Sequence, residues 1–291
     1  MAATASAPAS VAAPPPRRRV RPTGLGGWLV WALVAFFFVN LFALIATVVL
    51  DSVATTWFGS WLPDGFTPHW YGDAWQDFNL TDVLIVTAQV AAVVVAVSIL
   101  IGVPTAYALA RRNFPGKRLV SLLFLLPILI PPITYGIPLA TVLYKYQLAG
   151  SLTGVILANL VPTVPFVVLV MIPFIEQIDP KIEAAARMCG AGTSTIFLRI
   201  LGPLLVPGIL AAAILVLVRT VGMFELTFLT AGPGSATLVV VLYDAVFGAG
   251  IRAPQTVDAM AVVYTASMMV LLLIALRFVN PTQLVARVDA R

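Results

Sequence analysis

An all-α integral membrane protein with six transmembrane helices is the fold class this sequence predicts, on three observations. Of the 291 residues, 60% are hydrophobic and 10% charged, and the mean hydropathy is +1.02, more apolar than a water-soluble domain of this length. Several apolar runs reach the roughly 20 residues a helix needs to cross the hydrocarbon core. These runs do not alternate apolar with polar residues, which excludes barrel strands.

Residues 1–27 read as a disordered basic cytoplasmic tail, because Ala, Pro, Ser and Gly dominate and "PPPRRRVR" has little apolar surface to bury. The run from Trp28 to Leu50 is too long for a signal-peptide core and reads as a retained first span. An outer loop at 51–81 follows. It carries Asp51, Asp64, Asp73 and Asp77 and no Lys or Arg, with Trp57, Trp61, Trp70 and Trp75 suited to an interfacial aromatic layer; a cation-attracting vestibule is the sharper reading. Further spans are expected at about 82–110, 118–144, 151–174, 204–230 and 256–279, set by length, flanking charge and Gly/Pro breaks. The core thus runs over 82–280 and a cytoplasmic tail over 281–291. Spans three and four hold Pro127, Pro131, Pro132, Pro138, Pro162, Pro165 and Pro173, each removing a backbone donor and bending its rod. With both termini cytoplasmic, Lys and Arg collect on the inner side and the outer connections hold only Lys145 and Arg252, as the positive-inside rule requires.

One stretch breaks the hydrocarbon: "QIDPKIEAAARMCGAGTSTIFLRI", 177–200, on the inner side between spans four and five. Asp179 before Pro180 is a helix start, with an acceptor at the cap and a ring at the first helical position. A short helix over Lys181–Cys189 is broken by "GAG" at 190–192. Thr193 or Ser194 then caps a second segment, so that helix, bend and helix lie along the membrane surface. Taking Gly190 as reference, Ile200 and Pro203 follow at ten and thirteen residues, and Ala185 and Ala186 precede it in "AAARMCG". This spacing resembles the cytoplasmic signature of permease subunits of binding-protein-dependent ABC importers: EAA, three residues, G, nine residues, I, one residue, LP. The signature's glutamate position falls on Ala184, with Glu183 one residue early, and Gly202 stands where leucine is usual. The "ARRNFPGKR" turn between spans two and three, and "FLTAGP" after span five, extend the resemblance over about 82–280.

The resemblance implies a type I ABC importer permease (MetI-like) fold in a bacterial cytoplasmic membrane. Residues 179–201 would be the coupling helices, with Glu183, Ala184, Ala185, Ala186, Gly190, Ala191, Ile200 and Pro203 engaging a separate ATPase. The implied partners are two ABC ATPase subunits, a second permease, identical or related, an extracytoplasmic substrate-binding protein and the lipid bilayer. The basic tail marks the cytoplasmic side, and nucleic acid is not a partner.

No phosphate-binding G-x-x-x-x-G-K-[ST] loop is present. "FPGKRL" lacks the upstream glycine and the following hydroxyl, and "AGPGSATL" is an outer loop. No Ser/His/Asp or Cys/His set suggests nucleophilic catalysis. A single cysteine, Cys189, and a single histidine, His69, leave no material for an intramolecular disulfide or an ordinary metal site. The expectation is a non-catalytic subunit without a cofactor of its own, ATP and Mg being bound by the partner ATPase.

Arg219 and Glu225 lie inside span five, where an ionisable group needs a partner or water. On one continuous helix, six residues apart, they face about 120° away from each other. They read either as lining of a translocation pathway, with Tyr135, Asn159 and Thr220 adding polar groups, or as an inter-helix or inter-subunit salt bridge. "FELTFLTAGP" and "GFTPHWY" look closer to the polyamine, thiamine, iron and phosphonate importer branch than to sugar permeases. A polyamine-like cargo is favoured, although Gly222 and Met223 stand where polyamine permeases often carry acids. A sugar or polyol importer is the alternative. A stand-alone secondary transporter would need paired broken-helix repeats, and a membrane scaffold would not require the Gly190/Ile200/Pro203 spacing.

Overall fold

The computed structural model describes residues 25–248 and 252–277. The basic tail expected before Leu25 and the C-terminal tail expected at 281–291 lie outside the described residues. The chain divides into two units, Met1–Thr47 and Val48–Arg291.

The first unit carries most of α1 (Leu25–Asp51), which begins slightly earlier than expected. From Trp28 to Thr47 its side chains are exposed, as suits an apolar helix in a bilayer. Asn40 and Thr47 return their polar groups to the carbonyls of Phe36 and Ala43 one turn back, so neither faces lipid unsatisfied.

In the second unit the outer loop is ordered. Ala54 pairs with Phe66 in an antiparallel bridge, and Trp70 donates its indole N–H to the Ala54 carbonyl at 2.6 Å. A helix not expected from the sequence follows, α2 (His69–Asp77). Its Ala74 is buried in a cluster with Leu80, Leu238, Ala259 and Met260. Trp61 and Phe58 protrude at 97% and 98% exposure, in keeping with an interfacial aromatic layer.

The main core lies between α3 (Leu80–Arg111) and α6 (Leu152–Glu176), with α9 (Gly202–Val221) against both. α3 and α6 approach closely because Gly102 presents only hydrogen: a Cβ there would lie 2.6 Å from a Val167 methyl. Small residues at such crossings give the backbone proximity that drives helix association in lipid. Ser98 hydrogen-bonds Thr163 across the same interface at 3.0 Å, both fully buried.

The expected third span, 118–144, is two helices, α4 (Lys117–Leu129) and α5 (Pro132–Lys145), bent by 99°. The cause is local. A residue preceding proline is pushed out of the helical region, and with two prolines in succession both Ile130 (ψ 133) and Pro131 (ψ 134) are extended. Pro132 then starts the new helix, where its missing N–H costs nothing. The described residues therefore hold five helices long and apolar enough to span, or six if the bent pair counts as one.

The expected fifth span, 204–230, also differs. It begins earlier, because α8 (Thr193–Thr195) and a π turn over Ile196–Leu201 run straight into α9, giving one rod from Thr193 to Val221. It ends earlier as well, breaking at 222–224 before the short α10 (Glu225–Thr230). The "AGPGSATL" loop leads into another unexpected helix, α11 (Leu238–Phe247), whose first N–H is accepted by the buried hydroxyl of Thr87 on α3 at 2.9 Å. α12 (Pro254–Arg277) closes the described core.

Gly102→Val should destabilise the purified protein by about 1–3 kcal/mol through overpacking, read as a lower unfolding midpoint in detergent. Gly72→Ala is the control: it lies within α2 with nothing inside 4 Å of an added Cβ, and should be neutral or stabilising by up to about 1 kcal/mol.

Candidate functional site

The interruption folds as α7 (Pro180–Met188), an elbow, and the rod that becomes α9. The Asp179 carboxylate accepts from Lys181 N–H at 2.9 Å and Pro180 occupies the first helical position, as the sequence implies. The helix ends in a Schellman arrangement: Ala191 N–H reaches the Ala186 carbonyl at 3.0 Å and Gly190 N–H the Arg187 carbonyl at 2.9 Å. This needs a left-handed residue at Gly190, where φ is +81°, a conformation glycine adopts without steric cost. The second segment begins at Gly192 without a side-chain cap. Neither Thr193 nor Ser194 performs the expected capping, and that segment is the foot of the fifth rod rather than a separate surface helix.

Within α7 the side chains divide. Ala184 and Ala185 are exposed, together with Ile182 (42%) and Met188 (89%). Ala186 and Ala191 are half-buried against the core. Glu183 points the other way and is 5% exposed. Tyr107 on α3 donates its hydroxyl to Glu183 Oε2 at 2.7 Å, and Arg111, one turn further along α3, places Nε 3.0 Å from Oε1 as an ion-pair contact. Arg187 approaches Oε2 at 3.6 Å.

The same Arg111 guanidinium donates to the carbonyls of Ile175, at 2.9 Å, and Ile178, at the C-terminal end of α6. A cation there also meets the negative end of the helix dipole. The ring of Tyr107 stands edge-on to Phe197 of the π turn, centroids 5.6 Å apart. One carboxylate thus gathers α3, the end of α6, α7 and the foot of the fifth rod. Ile200 is half-buried in that foot and Pro203 is exposed at the start of α9.

Sequence reasoning missed Tyr107, Arg111, Ile182 and Met188. A signal existed for each pair. Tyr107 and Arg111 are four apart beside the basic turn and so share a helix face, and Ile182, Ala185 and Met188 recur every three residues.

The residues proposed for the pathway do not form one constellation. Asn159 belongs to the scaffold: fully buried, it donates to the Val155 carbonyl at 2.9 Å and to the Thr227 hydroxyl at 3.2 Å, joining α6 to α10. Arg219, near the end of α9, lies over the Phe166 ring, 5.3 Å from its centroid. Its Nε is buried without a hydrogen-bond acceptor among the described residues, as are the hydroxyls of Tyr135 and Thr220 without partners. Arg219 and Glu225 make no ion pair with each other. The chain break at 222–224 separates them, so the helical-wheel angle expected from one continuous rod does not apply. Tyr135 on α5 packs against the cluster of Leu143, Ala158, Met223 and Leu226, beside the break that separates Arg219 from Glu225. Among the described residues no group of three or more His, Cys, Asp and Glu side chains is placed to hold a metal ion.

Comparison with known proteins agrees with this geometry. A family described as binding-protein-dependent transport system inner membrane component matches residues 98–284. A probable molybdenum ABC transporter permease of Haloferax volcanii is 32% identical over 166 residues, 53% of this chain and 62% of that protein. The molybdenum transport system permease protein ModB of Escherichia coli K12 is 30% identical over 171 residues, 54% of this chain and 75% of that protein. The chain therefore matches less than two thirds of the length of the first relative and three quarters of the second. A chain of a bacterial ABC transporter involved in import of the acidic polysaccharide alginate shares the fold, with a TM-score of 0.69 over 86% of this chain and 97% of that one, at 18% identity. The family match runs from the later part of α3 through α12 and takes in the elbow, and the chain belongs to the family of binding-protein-dependent transport system inner membrane components.

Proposed function

We propose that this chain forms one half of the translocation pathway of an ABC importer and that α7 with its Gly190 elbow docks into a separate ATPase. The observation that carries the reading is the division of α7. Its outer face is small and apolar, with Ile182, Ala184, Ala185 and Met188 exposed, while Glu183 on the inner face is fastened to α3. A face of alanines lets another protein's backbone approach closely. Two routes carry a push on that face into the membrane: the carboxylate link into α3, and the elbow into the continuous rod from Thr193 to Val221.

In this reading two such permeases, identical or related, sit above two ATPases that bind ATP and Mg, and an extracytoplasmic binding protein delivers the cargo. Both termini lie in the cytoplasm, consistent with the distribution of Lys and Arg. Glu183 then acts at the joint without touching the ATPase, and the exposed Ala184 stands in the signature's glutamate position. The cargo is a small polar solute. The polyamine reading has no support from the relatives named above, two of which are permeases for molybdenum. A sugar or polyol is the alternative; the likeness to the alginate importer bears on the fold and not on the cargo.

Glu183→Gln leaves Arg111 charged and without its carboxylate, a loss of about 3 kcal/mol at the joint, and should uncouple ATP hydrolysis from uptake in reconstituted vesicles while the ATPase still co-purifies. Tyr107→Phe removes one hydrogen bond to a charged group, worth about 1.5 kcal/mol, and should give an intermediate coupling ratio in the same assay. Ala185→Trp should abolish co-purification of the ATPase with no change in the yield of inserted chain; retention of the ATPase by this variant would show that α7 is not the docking face.

A further inference from the structure

Several polar groups are buried in the membrane part of this chain, and their satisfaction separates them. Ser98, Thr163 and Thr227 bond to one another, to Asn159 or to a helix carbonyl, and Asn159 Oδ1 and the hydroxyls of Thr220 and Thr237 are neutral groups without a partner among the described residues. Glu225 is half-buried, and neither of its carboxylate oxygens is a buried orphan. Arg219 differs. Its Nε is enclosed with no acceptor, and no carboxylate lies within salt-bridge range among the described residues. The ring of Phe166 beneath the guanidinium supplies only a π face.

A guanidinium donates and never accepts, and it stays protonated in any protein environment. An enclosed guanidinium N–H therefore calls for an acceptor, and the best acceptor for a planar fork is an oxyanion. The hydroxyl of Tyr135, from the bent third span, is a second buried group with nothing to bond. A protonated polyamine offers this pair only more donors and more positive charge. A sugar hydroxyl can accept from Arg219 but leaves its charge without compensation.

We infer that Arg219, assisted by the Tyr135 hydroxyl from the α5 face that packs beside the 222–224 break, is the specificity-determining contact for a small oxyanion. The inference rests on the importer reading and narrows its cargo. Glu225, across the break at 222–224, bears the same sign as the passing ion and keeps the contact weak enough for release, as conduction through any selective site requires.

The test uses the complete complex, permeases, ATPase and binding protein, in liposomes loaded with ATP. Uptake is followed for sulfate, molybdate and inorganic phosphate, with trehalose and spermidine as neutral and cationic comparators. At least one of the three anions should accumulate and neither comparator should. Arg219→Gln should lower anion uptake by at least about tenfold and Tyr135→Phe by about threefold, with Arg219→Lys restoring part of the loss. Uptake of trehalose or spermidine in place of anions overturns the inference. So does undiminished anion uptake by Arg219→Gln, or recovery of Arg219→Glu by Glu225→Arg, which would reveal a structural pair between neighbouring permeases. A complex whose ATPase responds to its binding protein but accumulates none of the three anions overturns the anion assignment alone. Absence of any bound ATPase would instead defeat the importer reading itself.

Discussion

A single carboxylate sets the relation between the polar elbow and the membrane core. Glu183 lies 5% exposed with Tyr107 and Arg111 as its partners, and a buried charge of this kind is stable only while its partners stay in place. Moving α7 away from α3 would strand both the carboxylate and a guanidinium that also holds the α6 carbonyls. The three helices must therefore shift together or pass the full cost of separation. That condition ties the nine-residue α7 to the membrane core.

Two of the membrane rods are interrupted where interruption is cheap. Consecutive prolines at 131 and 132 divide the third span by a 99° bend, and the fifth ends at Val221 before a second short helix. Between these breaks α3 and α6 pack without gaps around Gly102 and Val167, where any outward step would open a void. The first break is followed by Tyr135 and the second preceded by Arg219, and Tyr135 packs against Met223 within the second break.

Much of this was legible in the sequence, and the failures have physical causes. Long apolar runs and the inward bias of Lys and Arg identified the spans, because hydropathy and charge act residue by residue. The Asp179–Pro180 start and the Gly190 turn were legible for the same reason: caps and left-handed turns are set by local chemistry. Pro131 and Pro132 announced a bend in the third span but not its size of 99°, because composition does not distinguish one kinked span from two short helices. The continuity from Thr193 into α9 was hidden by "GTST", whose hydroxyls suit a cap but are not needed once the backbone continues through a π turn. Glu183 was readable as an unusual residue but not as a buried one, since its partners come from α3, some seventy positions earlier.

Polar residues within the bilayer cannot be sorted by type, and Asn159 and Arg219 show why. Both stood in the sequence as possible pathway lining. Asn159 is completely buried, yet its amide donates to a carbonyl one turn back and to Thr227, so it pins α6 to α10 and gains nothing from a ligand on that side. Arg219 is less buried, yet its Nε has no acceptor. Depth measures what a group loses on leaving water; the missing partner measures what it still demands. Asn159 Oδ1 also lacks a partner among the described residues, but it is neutral, and in hydrocarbon an uncompensated charge costs far more than an unpaired amide oxygen. On that criterion Ser98, Thr163 and Thr227 belong to the scaffold, and Arg219 is a buried cationic donor without an acceptor among the described residues.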